Sequence, residues 1–251
     1  MTAGFWRLAV HPSLPSTSDL CAARAEAGEP EGLAVMALRQ TAGRGSRGRQ
    51  WESPEGNLYI SVLLRPPGTL ADGGGWALIA ALAMIEAVSG FVPDPTRLAL
   101  KWPNDVLLDG RKLAGVRLDA QARPDGTFDW LVMGCGINLA HAPDLPGRQV
   151  ACLADAAPPP PTSEAAKALL DRLAHWRGVC LAKGLGPVRA AWLARAQPVG
   201  TKLQLSYNGQ VIGGSFAGLA DDGGLLLATG GRVEAFSTGE LLLSPGDRPE
   251  G

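Results

Sequence analysis

The sequence predicts an α/β protein of the α+β kind, in which helices flank a mixed, largely antiparallel sheet and a small β-barrel follows at the C-terminus. Three observations support this fold class. Strand-like and helix-like segments alternate up to residue 140, a helical pair follows a proline run, and short alternating strands with glycine turns begin near Thr201. The 251 residues fit one sizeable domain with a small one attached.

Composition and charge exclude several classes of protein. Hydrophobic residues make up 46% and charged residues 19% of the chain, which excludes disorder for most of it. The net charge of −1 provides no overall basic field for DNA, so any phosphate site must be local. The four cysteines form no CxxC pair and three histidines are scattered, so neither a disulfide framework nor a zinc site is expected.

Targeting signals are also missing from the sequence pattern. The longest apolar run, residues 77–85, is shorter than the roughly 20 residues that a membrane span needs. The first residues show no basic region followed by an apolar stretch and a cleavage site. We therefore expect a cytoplasmic protein with no membrane partner.

The first elements are separated by a long loop. The segment PSTSD at residues 15–19 predicts a helix N-cap, and Gly28 is a typical stop signal. Residues 33–39 and 57–65 have strand character. Between them, residues 41–56 have no apolar period, and a loop of this length in a compact domain is usually functional.

The centre of the chain predicts one helix and a meander. Residues 76–88 form a mostly apolar helical segment after a glycine break. Two Asp-Gly turns, at 109–110 and 125–126, then separate three predicted strands. These strands cover residues 98–108, 111–120 and 128–139.

The last part of the chain predicts a helical pair and the barrel. The run AAPPPP at residues 156–161 cannot be helix or central strand, so it is a stiff surface connector. Residues 163–183 and 187–196 carry the helical period. The strands after Thr201 suggest an SH3-like barrel. We expect domains at residues 1–196 and 197–251.

Two motifs carry the residue types of a phosphate site. In GRGSRGR, residues 43–49, arginines alternate with glycines, which suits an anion cradle, although a solvated turn remains an alternative. The motif lacks the pattern of a P-loop or a dinucleotide fingerprint. In KWPNDV, Lys101 could meet a phosphate and Asp105 could hold Mg²⁺, or Pro103 and Asn104 could simply form a turn. Lys112, in RKLAG, is by itself typical of an exposed strand edge.

Together these motifs resemble a known family. The segments QTAGRGSRGRQW, NLYISVLLRP, KWPNDVLLDGRKLAG and GCGINLA occur in this order within residues 8–140. They resemble the catalytic domain of biotin protein ligases, also called biotin–acetyl-CoA-carboxylase ligases. Residues 199–243, with FSTGELLL, resemble the family's small SH3-like domain.

The resemblance implies a two-step reaction. Such enzymes use ATP and Mg²⁺ to form biotinyl-AMP from biotin, and then transfer biotin to a specific lysine of a biotin carboxyl carrier protein. Two anions must meet and a reactive mixed anhydride must be kept from water. Positioning and charge neutralisation therefore dominate the catalytic requirement.

The resemblance also implies site residues. Lys112, Arg44 and Asp105 are the implied catalytic residues, with Asp105 also the candidate metal ligand and a candidate base for the acceptor amine. The implied contacts to biotin and nucleotide are the remaining motif residues: Ser16, Thr17, Ser18, Gln40, Gly43, Gly45, Ser46, Arg47, Arg49, Trp51, Lys101, Asn104, Gly115, Ile137 and Asn138. From the residues alone, Ser16 could simply cap a helix and Trp51 could be a half-buried aromatic.

The sequence departs from the family at several positions. Ser46 stands where a second arginine usually helps to hold the adenylate, unless Arg47 compensates. Arg117 and Asp119 stand in a strand that in the family is more apolar and ends in glutamate.

The alternatives are a lipoate or octanoate ligase of the same fold and a non-catalytic adenylate-binding module. The sequence leaves no room for a winged helix before Ser16, so we expect a monofunctional ligase that does not bind DNA. A homodimer is possible.

Overall fold

The computed structural model describes residues 4–145 and 148–242, except for the side chain of Arg47. Its main sheet has seven strands in the spatial order β1-β2-β3-β7-β6-β5-β4. Only β1 and β2 pair in parallel, and every other neighbouring pair is antiparallel. The prediction of a mixed, largely antiparallel sheet is therefore confirmed. The strands are β1 (Arg7–His11), β2 (Leu33–Ala37), β3 (Leu58–Leu64), β4 (Leu98–Lys101), β5 (Asp105–Leu108), β6 (Arg111–Ala122) and β7 (Phe128–Ile137).

Helices cover both faces of this sheet. Helix α1 (Thr17–Glu26) packs on β2, β3 and β7 through a small apolar cluster that includes Cys21, Val35 and Trp130. Helix α2 (Gly73–Ser89) packs against the sheet as well as against α3 (Thr162–Lys183) and α4 (Gly186–Leu193). The stretch Leu70–Ser89 is long and apolar enough to cross a membrane, but 72% of its most apolar window is buried inside the fold, as in a core helix.

The C-terminal unit is a second, antiparallel sheet. Its strands are β8 (Lys202–Tyr207), β9 (Gln210–Leu219), β10 (Leu225–Thr229), β11 (Arg232–Phe236) and β12 (Glu240–Leu242), in the spatial order β11-β10-β9-β8-β12. The predicted turn at Asn208 and Gly209 joins β8 to β9, and both residues have positive φ, as a tight hairpin turn requires. The expected small β unit is therefore present.

The two units share one apolar core. Leu205 and Phe216 of the second sheet belong to the same buried cluster as α2. The indole N–H of Trp102 donates to the carbonyl of Gly223 at 3.0 Å, which fixes the β4–β5 region to the C-terminal sheet. The boundary between residues 196 and 197 stays a prediction.

One strand prediction needs correction, and one strand was not predicted. Residues 98–108 are not one strand but the hairpin β4–β5, with a turn at residues 102–104. Pro103 has no N–H and cannot take part in the ladder of a central strand, so the chain reverses there. Strand β1 was not predicted, because its alternation is short and its residues are largely exposed.

Candidate active site

The predicted motifs meet in one large cleft. Its volume is about 1940 Å³. The N-terminus of α1, the loop after β2, strands β4 to β7 and the start of β12 form its walls. The chain thus brings a residue from the C-terminal sheet, Glu240, beside residues of the main sheet.

The charged centre of the cleft is an ion pair. Lys112 Nζ lies 2.5 Å from Asp105 Oδ1, and the side chains are 33% and 15% exposed. A bulge between Val106 and Leu107 shifts the β5–β6 register, so that Asp105 pairs with Gly115. A Cβ at residue 115 would lie 3.0 Å from Lys112 Nζ. Gly115 therefore provides the space in which the lysine side chain lies.

Trp51 forms one wall beside this pair. A Cβ at Gly136 would lie 2.7 Å from the Trp51 ring, so the bare backbone of β7 permits the close approach of the indole. Lys112 Nζ lies 5.5 Å from the ring centre, a distance that suits a cation–π contact. The indole N–H is buried and has no hydrogen-bond partner among the described residues.

The other end of the cleft is polar and buried. Ser16 caps α1, since its hydroxyl accepts from the amide of Asp19 at 3.3 Å, so the predicted N-cap is confirmed. Thr17 and Ser18 are almost fully buried, and their hydroxyls contact the hydroxyl of Ser61 at 2.8 and 3.0 Å.

Gln40 and Gly134 complete this polar end. The amide oxygen of Gln40 accepts from the backbone amide of Thr17 at 2.8 Å. A Cβ at Gly134 would lie 2.4 Å from Ser18 Oγ, so glycine is needed there. Sequence reasoning missed Ser61, although a polar residue in the otherwise apolar strand β3 was the available signal.

The glycine-rich motif forms a short hairpin at the mouth of the cleft. Ser46 begins a 3-10 turn, Ser46–Gly48, and lines the cleft. Arg44 forms an ion pair with Asp19 of α1, and Arg49 Nη1 lies 2.9 Å from Glu240 Oε1. The side chain of Arg47 lies outside the described part of the structure.

Gly43 supports the hairpin from below rather than lining the cleft. A Cβ at this residue would lie 2.3 Å from the Trp51 carbonyl oxygen and 2.6 Å from Ser53 Oγ. Its role in the fold is therefore a close approach to the backbone at Trp51, whereas the sequence analysis expected this glycine to contact biotin or nucleotide.

Lys101 ends β4, and Asn104 lies in the β4–β5 turn. Asn104 has the geometric role of a turn residue, because its Nδ2 donates to the Val116 carbonyl at 2.5 Å. Lys101 is only 9% exposed, and burial lowers the pKa of its ammonium, with Asp105 opposing that effect. A buried cation that no hydrogen bond among the described residues satisfies is suited to an anionic ligand.

We predict that Lys101→Met raises the thermal midpoint at neutral pH. The pKa of Lys101 is lower in the folded than in the unfolded state, so the cost of its charge is fully present below the folded pKa. That cost disappears as the pH rises past the unfolded value of about 10.4. The gain should therefore shrink in thermal melts between pH 7 and about pH 10.4. The same change at the exposed Lys202 is the control, and a fall in the midpoint at neutral pH would contradict this prediction.

The end of β7 gives one correction. Ile137 is fully buried in the apolar core and does not line the cleft, because successive residues of a strand point to opposite faces. Asn138 does line it, and its Nδ2 donates to the Ala151 carbonyl at 3.1 Å. Its Oδ1 is buried without a hydrogen-bond partner among the residues described.

Asn57 holds the turn after Asn138 and was missed by sequence reasoning. Its Oδ1 accepts from the backbone amides of Leu139, Ala140 and His141 at 2.9 to 3.0 Å. Its Nδ2 donates to the His141 carbonyl. One side chain therefore fixes the backbone that presents Asn138.

The residues of the cleft could hold a metal ion only together with the phosphates of a bound nucleotide. Residues 4–145 and 148–242 contain no group of three or more His, Cys, Asp or Glu that could hold a metal. Asp105 offers one carboxylate, already paired with Lys112. Mg²⁺ is commonly held by one or two carboxylates together with substrate phosphates, which this arrangement allows.

Comparisons with known proteins identify a family and several relatives of this chain. The model of the biotin/lipoate A/B protein ligase family matches residues 10–138. The chain is 36% identical over 199 residues to a biotin–[acetyl-CoA-carboxylase] ligase of Paracoccus denitrificans, covering 77% of this chain and 82% of that protein. It is 31% identical to a ligase of the same name from Mycobacterium tuberculosis, covering 96% of this chain and 90% of the relative.

A solved structure shows the same fold over nearly the whole chain. The biotin protein ligase of Aquifex aeolicus in complex with biotin and ATP superposes with a TM-score of 0.79 at 26% identity, covering 94% of this chain and 97% of the other. The chain belongs to the biotin/lipoate A/B protein ligase family.

Proposed function

We propose that the protein is a biotin–[biotin carboxyl carrier protein] ligase. It forms biotinyl-AMP and diphosphate from biotin and ATP, and then transfers biotin to a lysine of a carrier domain. The observation that carries the proposal is that Lys112 lines the same cleft as a group of buried polar side chains and an arginine-bearing hairpin. The relatives named biotin–[acetyl-CoA-carboxylase] ligase, of which this chain covers 82% and 90%, support it.

The polar end of the cleft suits the fused ring of biotin. Its ureido group presents one carbonyl acceptor and two N–H donors, and the buried hydroxyls of Ser16, Thr17 and Ser18 with Gln40 offer matching partners. Each of these hydroxyls already has a partner within the protein, and each keeps further hydrogen-bonding capacity for the ureido group. The biotin carboxylate then extends towards Lys112.

The first step requires two anions to approach each other. An oxygen of the biotin carboxylate attacks the α-phosphorus of ATP, and diphosphate leaves. Lys112 neutralises the carboxylate and the α-phosphate, while Arg44 and Arg49 of the hairpin cover the phosphates. Backbone contacts come from Gly45, Ser46 and Gly115, and Mg²⁺ neutralises the phosphates when bound.

The nucleotide lies against the other wall of the cleft. Trp51 and Asn138 border it, and each holds a buried polar atom without a partner among the described residues. Lys101 and Asn104 lie beside the β4–β5 turn, where Lys101 meets a phosphate. Arg47 is a further candidate by its place in the motif.

The second step requires a neutral amine on the carrier. The lysine nitrogen attacks the acyl carbon, AMP leaves, and the amine loses a proton. Asp105 is the carboxylate we assign to accept that proton. The partner is the carrier domain of a biotin-dependent carboxylase, the site of action is the cytoplasm, and the protein acts as a monomer or a homodimer.

The selectivity for the acid tests the proposal. Diphosphate release from ATP and Mg²⁺ should depend on biotin, with lipoate and octanoate giving little or none. A preference for lipoate or octanoate would favour the second candidate, an acyl ligase for apolar chains. Tight binding of biotinyl-AMP without turnover would instead indicate a non-catalytic binding module.

A further inference from the structure

The hairpin at the mouth of the cleft, residues 43–51, contacts three separate elements through arginine side chains. Within the hairpin, Gly45 N donates to the Arg49 carbonyl at 2.7 Å and Trp51 N donates to the Gly43 carbonyl at 2.9 Å. Two of its own arginines reach outwards, Arg44 to Asp19 on α1 and Arg49 to Glu240 on β12. The third contact comes from the main sheet itself.

Arg117 of β6 makes this third contact. Its Nη1 donates to the Gly45 carbonyl at 2.9 Å, across 72 residues of chain. Its Nε and Nη2 contact the carboxylate of Asp119 at 2.9 and 2.5 Å. Residues two apart on a strand share a face, so Asp119 can hold the guanidinium in a fixed orientation.

The Arg117–Asp119 pair is less exposed to solvent than the other two ion pairs of the hairpin. The side chains of Arg117 and Asp119 are 19% and 24% exposed, against 49% for both Arg44 and Asp19. The hydrogen bonds to Asp119 raise the pKa of Arg117 above its already high ordinary value. The cation that contacts Gly45 is therefore permanently charged and already oriented.

A ligand would also affect the three contacts of the hairpin differently. Arg44 and Arg49 are cations that the substrate anions would draw away from Asp19 and Glu240. Exposed ion pairs of this kind contribute little to stability. Arg117 instead holds a backbone carbonyl, so its contact can persist with the cleft full or empty.

We propose that Arg117, oriented by Asp119, is a positioning residue that holds the hairpin over the cleft before any substrate binds. A glycine-rich segment loses much conformational entropy when it is ordered. If the hairpin is already in place, that cost does not reduce the affinity for ligand. The effect on catalysis rests on the proposed function, whereas the effect on the hairpin does not.

Limited digestion with trypsin tests the hairpin directly, since its arginines are trypsin sites. In the ligand-free protein, Arg117→Met should be cut after the hairpin arginines about tenfold faster than the original chain. Asp119→Asn should give an intermediate rate, because the guanidinium keeps its charge but loses its orientation. Arg24→Met, which removes an exposed arginine of α1, is the matched control.

Mass spectrometry of the first fragments separates local opening from global unfolding. Faster cleavage confined to the hairpin, with cuts elsewhere unchanged, is the expected result. Unchanged hairpin cleavage in Arg117→Met would overturn the proposal, and so would a uniform increase at all sites.

Kinetics then tests the consequence for catalysis. In Arg117→Met, the KM for biotin should rise about tenfold while kcat for diphosphate release changes less than threefold. A tenfold fall in kcat with an unchanged KM for biotin would overturn the positioning role. If the original chain shows no turnover with biotin but hairpin cleavage responds as expected, the proposed function fails and the positioning of the hairpin stands.

Discussion

Replacing Lys112 by methionine is expected to slow biotin-dependent diphosphate release by about 10²- to 10³-fold. Lys112 Nζ lies at the centre of the cleft, 2.5 Å from Asp105, where the carboxylate and the α-phosphate must meet. Methionine is an unbranched side chain only one atom shorter than lysine, and it lacks the charge and the N–H donors. Steady-state rates at saturating ATP, with biotin varied, measure the effect.

Two further variants separate chemistry from stability in this experiment. Lys112→Met leaves Asp105, 15% exposed, without its partner, so the thermal midpoint should fall. Adding Asp105→Asn should restore the midpoint but not the activity. Lys167→Met on α3 removes an exposed lysine with an i,i+4 partner and should change neither quantity. Retention of more than a third of the activity in Lys112→Met would exclude a central role for this lysine.

Gly136→Ala should lower kcat/KM about ten- to a hundredfold, corresponding to roughly 1–3 kcal/mol of overpacking. The new Cβ would lie 2.7 Å from the Trp51 ring, which is closer than a van der Waals contact allows. Because the indole is rigid, the whole ring has to shift. Displacing the indole also disturbs its contact with Lys112, 5.5 Å from the ring centre. Measured kcat/KM values for biotin and for ATP report the loss.

A strand glycine in the C-terminal sheet is the control for Gly136→Ala. Gly213 lies on β9, and an added Cβ there would meet nothing within 4 Å. Gly213→Ala should therefore leave kcat/KM unchanged. If Gly136→Ala behaved like Gly213→Ala, Trp51 would not border the reacting groups.

The sequence predicted the elements that depend on local patterns. The cap at Ser16, the strand β3 and the two Asp-Gly turns all follow from residue types within a few positions of each other. The hairpin β4–β5 was predicted as a single strand, because its apolar residues on both sides of Pro103 look continuous when read along the chain.

The contacts that shape the site depend on register and on distant parts of the chain. The bulge after Val106 decides that Lys112 meets Asp105, and the alternation of β7 decides that Asn138 faces the cleft while Ile137 does not. Arg49 meets Glu240 across 191 residues, which no local pattern encodes. Arg117 was noted only as a departure from the family, and its contact with Gly45 became visible in the fold.

Transfer of biotin to a carrier lysine tests the central claim most directly. The protein, ATP, Mg²⁺ and biotin are mixed with a purified carrier domain, and the intact mass of the carrier is measured. A carrier whose acceptor lysine is replaced by arginine serves as the control. We predict that the original carrier gains the mass of one biotinyl group and that the control carrier gains none. Diphosphate release without any mass gain on the original carrier, or equal gain on both carriers, would contradict a site-specific biotin ligase.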